Sequence, residues 1–152
     1  MATTKVTEAT FETTIASGMV LLDFWASWCG PCRAFGPIFE QASDRHPDVV
    51  FGKIDTDAEQ ALSGGLGISS IPTLMAFRDG ILLFQDAGAL PGQALDELIA
   101  SIKALDMDEV RRKVAAEDGD EDEDEHEHEH EHEDQDGDGG EGVPGVTEEP
   151  RS

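Results

Sequence analysis

Basic residues are scarce in this chain: ten Lys and Arg stand against 34 Asp and Glu in 152 residues, a net charge of -24. That balance excludes nucleic acid held through its phosphates, which needs a positive patch. No run of about 18 apolar residues occurs, so no membrane-spanning helix is expected. The first eleven residues hold one lysine and no apolar stretch of the secretory type, which points to a cytoplasmic chain. Cysteine is scarcer still. Two residues cannot build the multi-bridge framework of a small secreted domain, so their meaning rests on their spacing. Tyrosine is absent altogether.

What is present is unevenly spread. Residues 1–116 hold 16 acidic and nine basic residues, an ordinary net of -7. Residues 117–152 hold 18 acids and only Arg151, a net of -17. Every Phe and Trp lies between Phe11 and Phe84, and beyond Ala116 only Val143 and Val146 are aliphatic and larger than alanine. The expected organisation is a globular domain over 1–107, a short helical extension over 108–116 and a disordered acidic, His-rich tail over 117–152.

Along the globular part the hydrophobic period changes repeatedly. Lys5 to Thr7 reads as a short edge strand and Phe11 to Ile15 as a turn or two of helix. Met19 to Ala26 is an apolar run typical of a strand covered on both faces, broken only by Asp23. Arg33 to Asp44 has helical spacing, with Phe35, Ile38, Phe39 and Ala42 on one side and Pro37 inside, where a kink is expected. Val49 to Ile54 is a second buried strand, and Glu59 to Leu66 a short helix ended by glycines. Thr73 to Phe77 and Ile81 to Phe84 form a hairpin across Asp79-Gly80. Pro91 to Leu105 closes the pattern as an amphipathic helix with Leu95, Leu98, Ile99 and Ile102 inward. The order βαβαβαββα predicts an α/β fold with a mixed sheet covered on both faces.

Cys29-Gly30-Pro31-Cys32 falls where a buried strand ends and a helix begins. A thiolate is the nucleophile of disulfide exchange, and a free thiol is mostly protonated at neutral pH. A helix N-terminus aims unpaired N–H groups and the positive end of the dipole at the first sulfur, which favours its anion. Cys29 is therefore the expected attacking thiol. Cys32, one turn along and facing inward, is the expected resolving thiol. Gly30 allows close backbone approach and Pro31 stiffens the loop. A four-cysteine zinc site lacks its second pair; a Cys2His2 site would need His46 and a tail histidine. Two inert core cysteines would need neither Trp28 nor the Gly-Pro filling.

Trp28-Cys29-Gly30-Pro31-Cys32-Arg33, preceded by Asp23-Phe24-Trp25-Ala26 and followed by Pro37, resembles the thioredoxin family. The resemblance covers about residues 5–105. It takes in Lys53-Ile54-Asp55, Gly67-Ile68, Ile71-Pro72-Thr73, Phe77, Gly80 and Gly88-Ala89-Leu90. It implies the thioredoxin fold, with a five-stranded mixed sheet, and a monomeric dithiol reductant of protein disulfides. Recharging would come from an NADPH-dependent thioredoxin reductase, and no cofactor would be bound beyond the redox-active Cys29–Cys32 disulfide.

By the same resemblance Asp23 is the buried acid beneath the cysteines, Lys53 its partner, and Pro72 a cis-proline facing the disulfide. Ile71 would lend backbone to a substrate strand. Trp28, Gly30, Pro31, Ile71, Pro72, Gly88 and Ala89 would form a flat contact surface, with Trp25 packed behind the loop. For Asp23 an ordinary strand-end acid reaching water is the competing reading, and for Lys53 an ordinary exposed lysine. The sequence departs from the family in having no tyrosine, in Ser70 where some members have glycine, and in its tail.

Glu125 to Glu133 alternates Glu and His strictly. In an extended segment His126, His128, His130 and His132 can point one way, and imidazole suits zinc or nickel. Against a loose metal site stands a plain solvated acidic tail. The alternative function is then a metal-buffering module whose thiols are secondary.

Overall fold

The computed structural model describes residues 2–117. The chain divides into two compact units, Met1–Ala104 and Leu105–Ser152. The first contains β1 (Thr3–Lys5), α1 (Phe11–Ile15), β2 (Met19–Trp25), α2 (Gly30–Arg45), β3 (Val50–Asp55), α3 (Gln60–Gly65), β4 (Thr73–Arg78), β5 (Ile81–Ala87) and α4 (Gly92–Lys103). This is the expected element order. The five strands make one sheet in the order β1-β3-β2-β4-β5. β1, β3 and β2 run parallel, β4 pairs antiparallel with β2, and β5 pairs antiparallel with β4.

The apolar character of β2, interrupted only at Asp23, follows from its place at the centre. Leu21, Phe51, Leu74 and Ala76 pack with Phe35, Phe39 and Ala42 of α2 and Leu95, Ile99 and Ile102 of α4. On the opposite face Val20, Leu22, Phe24, Ile54, Met75 and Phe77 meet Phe11 and Ile15 of α1 and Leu62 of α3. Successive strand residues alternate between the two clusters, as the pleat requires. Helices therefore cover both faces.

Local differences have local causes. The first strand is Thr3–Lys5 rather than 5–7; the Val6 N–H makes the last bond of the ladder, to the Lys53 carbonyl at 2.9 Å, and its side chain is buried against the α1 face. α2 begins at Gly30 rather than Arg33, so the Cys-Gly-Pro-Cys segment is itself the first turn. Pro91 is the residue before α4 rather than within its first turn. The hairpin turns at Asp79 (φ 53°) and Gly80 (φ 83°), two successive positive φ values of the primed-turn kind. At Gly52 an added Cβ would lie 2.6 Å from Val6 Cγ2 and 2.8 Å from Leu22 Cδ2, so β1 and β2 flank it too closely for any side chain.

In the second unit the described residues form a helix over 107–117. Asp106 Oδ1 accepts the backbone N–H of Asp108 (3.1 Å) and Glu109 (3.4 Å), capping it. The expected tail, with its four histidines and their proposed zinc or nickel, lies outside the described residues apart from the helical Glu117. Among the described residues no helix is long and apolar enough to cross a membrane.

Candidate active site

The site is built at the end of β2 and the start of α2. Cys29 is the N-cap of α2, with extended backbone (φ -90°, ψ 117°), and its Sγ accepts the N–H of Cys32 at 3.2 Å. A helix leaves its first N–H groups without intrahelical partners, and here one of them is directed at sulfur. Cys29 and Cys32 are joined as a disulfide with Cα atoms 5.3 Å apart. Both are nearly buried, at 5% and 4% exposure, so depth does not distinguish them as the sequence pattern led us to expect. The cap hydrogen bond does, because only Cys29 receives it.

Ala26 and the two cysteines form a small apolar cluster, with Trp25 and Ile71 packed on it. The Ile71-Pro72 peptide bond is cis. Cys29 Sγ lies 3.7 Å from the Ile71 carbonyl oxygen, and the Pro72 carbonyl accepts the Gly88 N–H at 2.7 Å. These contacts bring residues 71–72 and 88 to the disulfide from separate loops. Trp28, Gly30, Pro31, Gly88 and Ala89 are exposed and Ile71 is half-buried. Pro72 is buried, so the expected flat surface does not include it. An added Cβ at Gly30 would touch nothing within 4 Å, so glycine there is not required by this chain's own packing.

Trp28 is 67% exposed, yet its Nε1 donates to Asp57 Oδ2 at 2.9 Å, which fixes the indole over the loop after β3. Asp57 was not legible in the sequence, since nothing local links it to position 28. Asp57 N–H in turn donates to Asp55 Oδ1 at 2.9 Å.

Asp23 is completely buried, opposite Lys53 in the β2–β3 register and Leu74 in the β2–β4 register. Among the described residues neither carboxylate oxygen finds a hydrogen-bond partner. Burial pushes its pKa up to about 7, against a smaller downward pull from Lys53. The competing reading, an acid reaching water at a strand end, is thereby overturned. Lys53, the expected partner of Asp23, lies opposite it in register and lowers its pKa, but its ammonium makes its ion pair with another carboxylate. Its Nζ lies 3.7 Å from Glu40 Oε2 and 5.1 Å from the centre of the Trp25 ring. Trp25, Cys32, Arg33, Gly36, Pro37, Glu40 and Lys53 line an open cleft of about 320 Å³ beside the disulfide. Glu40 is a site residue that the sequence reading missed. The available signal was helical spacing, since positions 32, 36 and 40 share one face of α2.

Among the described residues no group of three or more His, Cys, Asp or Glu is placed to hold a metal ion. The redox group of the site is the disulfide itself.

Comparison with known proteins converges on one family. The thioredoxin family model matches residues 2–104. The chain is 49% identical over 117 residues to a putative thioredoxin 2 of Streptomyces coelicolor, covering 76% of this chain and 87% of that one. It is 40% identical over 100 residues to a thioredoxin of Bacillus subtilis, covering 65% and 96% respectively. Among solved structures, a single-site mutant of a thioredoxin from Halobacterium salinarum superposes with a TM-score of 0.64 and 32% identity, over 69% of this chain and 95% of that one. With its Cys29–Cys32 disulfide at the head of α2, the chain belongs to the thioredoxin family and is a thiol-disulfide oxidoreductase.

Proposed function

We propose that the chain is a general protein-disulfide reductase in which Cys29 attacks and Cys32 resolves. The observation that carries this reading is the N–H of Cys32 donating to Cys29 Sγ at the start of α2. The reduced protein's Cys29 thiolate attacks one sulfur of a substrate disulfide and expels the other as a thiolate, leaving a mixed disulfide. Cys32 then loses its proton and attacks Cys29 Sγ, re-forming the Cys29–Cys32 bond and releasing the second substrate thiolate. Two electrons pass to the substrate, which takes up two protons. Asp23 is the proposed proton acceptor for Cys32, a role supported by a carboxyl pKa near neutrality. Lys53 is proposed to act with it.

Substrate chain is proposed to lie across Trp28, Gly30, Pro31, Gly88 and Ala89, with the Ile71 backbone offered at its edge. Recharging by an NADPH-dependent thioredoxin reductase, a monomeric state and a cytoplasmic setting complete the reading. The recharging and the setting are supported by the need of a dithiol reductant for a reducing compartment.

Insulin reduction with NADPH and a thioredoxin reductase tests the proposal. Cys29→Ser should abolish it while the protein stays folded. Cys32→Ser should instead accumulate mixed disulfides with the substrate. Faster alkylation of Cys32 than of Cys29 at neutral pH would reverse the assignment.

A further inference from the structure

Lys53 and Asp23 face each other in the strand register, yet the lysine does not close on the acid. Its stem passes Trp25 and its ammonium ends 3.7 Å from Glu40 Oε2, both side chains about a quarter exposed (24% and 25%). Gly36, one turn before Glu40, has no side chain to intervene, and a Cβ there would already lie 3.9 Å from Lys53 Nζ. The charged and titratable groups around this cleft are Lys53 from β3, Glu40 and Arg33 from α2, and Cys32, which is in the disulfide; on its other side Lys53 shares a second cleft with Lys5 of β1, its register partner, and Asp55 of β3. Arg33 is turned outward, donating to the Ser27 carbonyl at 3.0 Å. On the β4 side Asp23 meets only Leu74 in register. Among the described residues Lys53 is the charge that acts on Asp23, and Glu40 is the carboxylate with which that charge is paired.

We propose that Glu40 is a positioning residue: its carboxylate holds the Lys53 ammonium at the cleft rim, over Trp25, and so leaves the buried Asp23 without a paired counter-ion. A free lysine with a flexible four-carbon stem would otherwise be drawn toward the only carboxyl buried beside it. The pairing with Glu40 keeps Asp23 able to hold or release a proton near neutral pH. The contact that Glu40 makes is with Lys53, and in this proposal it acts through Lys53 alone.

The inference deepens the proposed role of Asp23. Its test needs no turnover and therefore stands or falls apart from the assignment of the thiols. The full-length oxidised protein, labelled at aspartate carboxyl carbon, is titrated by NMR, and the midpoint of Asp23 is read. Glu40→Gln keeps the shape of a partly exposed helix residue and removes its charge. The midpoint should fall by about one pH unit as Lys53 moves to Asp23. In a Lys53→Met background the same Glu40→Gln change should leave the midpoint where it is. An unmoved midpoint in the single variant would overturn the proposal. So would an equal shift in both backgrounds, which would mean that Glu40 acts on Asp23 directly through space.

Discussion

Asp96, at the α4 side of the far end of α2, and Asp23, beside its near end, are two carboxylates set in opposite surroundings. Asp96 Oδ1 meets His46 Nε2 at 2.8 Å and Arg45 Nη2 at 3.0 Å. The His46 hydrogen bond is the largest influence and, helped by Arg45, holds its carboxyl below the usual range against an opposing effect of burial that exceeds the Arg45 hydrogen bond. His46 also stacks on Phe51, so this clasp ties α2 and α4 to the sheet. Asp23 has no hydrogen bond, no paired counter-ion and no exposure, and its pKa moves the other way. A group kept for structure is given partners until its charge is comfortable. Asp23 is left uncomfortable, as the proton exchange proposed for it requires.

The difference is sharpest in pH-dependent stability. Asp23 has a folded-state pKa above its unfolded value of 3.8, so between pH 4 and about 7 the folded protein holds a proton that the unfolded chain has released. Stability should therefore be greatest at the acid end of that window and fall as pH rises through it. Three pKa units correspond to about 4 kcal/mol once the carboxyl is fully ionised. Asp23→Asn should abolish this dependence and be the more stable protein at pH 8 in urea unfolding of the oxidised form. A variant no more stable than its parent at pH 8 would mean that Asp23 finds compensation, and the contrast with Asp96 would collapse.

A smaller effect is expected from packing between the two sites. Gly52→Ala pushes a methyl between Val6 and Leu22 and should destabilise by about 1–3 kcal/mol in the same assay. Asp23 should keep its raised midpoint, because the strain lies on the α1 side of the sheet. Smaller again is Asp96→Asn. The carboxylate is 39% exposed, so losing its partly screened pairs should cost about 0.5–1 kcal/mol, with no change in insulin reduction. A loss of activity there would show that both ends of α2 serve the chemistry.

The smallest effect is expected from removing residues 118–152. Their composition offers little apolar area, so a 1–117 chain should match the full chain in melting temperature and in insulin reduction. Zinc titrated into the oxidised full chain should release heat that the 1–117 chain does not, through His126, His128, His130 and His132. Equal heats from both would remove the histidines from any metal role.

The order of strands and helices, the two covered faces and the position of the cysteine pair were legible in the sequence because each is written locally. Period-two and helical spacing mark the faces of β2 and α2, Asp79-Gly80 marks the hairpin, and a Cys-x-x-Cys at a strand-to-helix junction marks the thiols. The acid in the apolar run at Asp23 announced an anomaly in the same way. Only the tertiary structure decided how that anomaly is managed. Glu40 reaches Lys53 across 13 positions, Trp28 reaches Asp57 across 29, and the Gly88 N–H reaches the Pro72 carbonyl across 16. An ammonium with two carboxylates in reach goes where packing and solvent make the pair cheapest, and that choice depends on how a helix and a strand meet in space. Nothing in the linear order of residues carries that information.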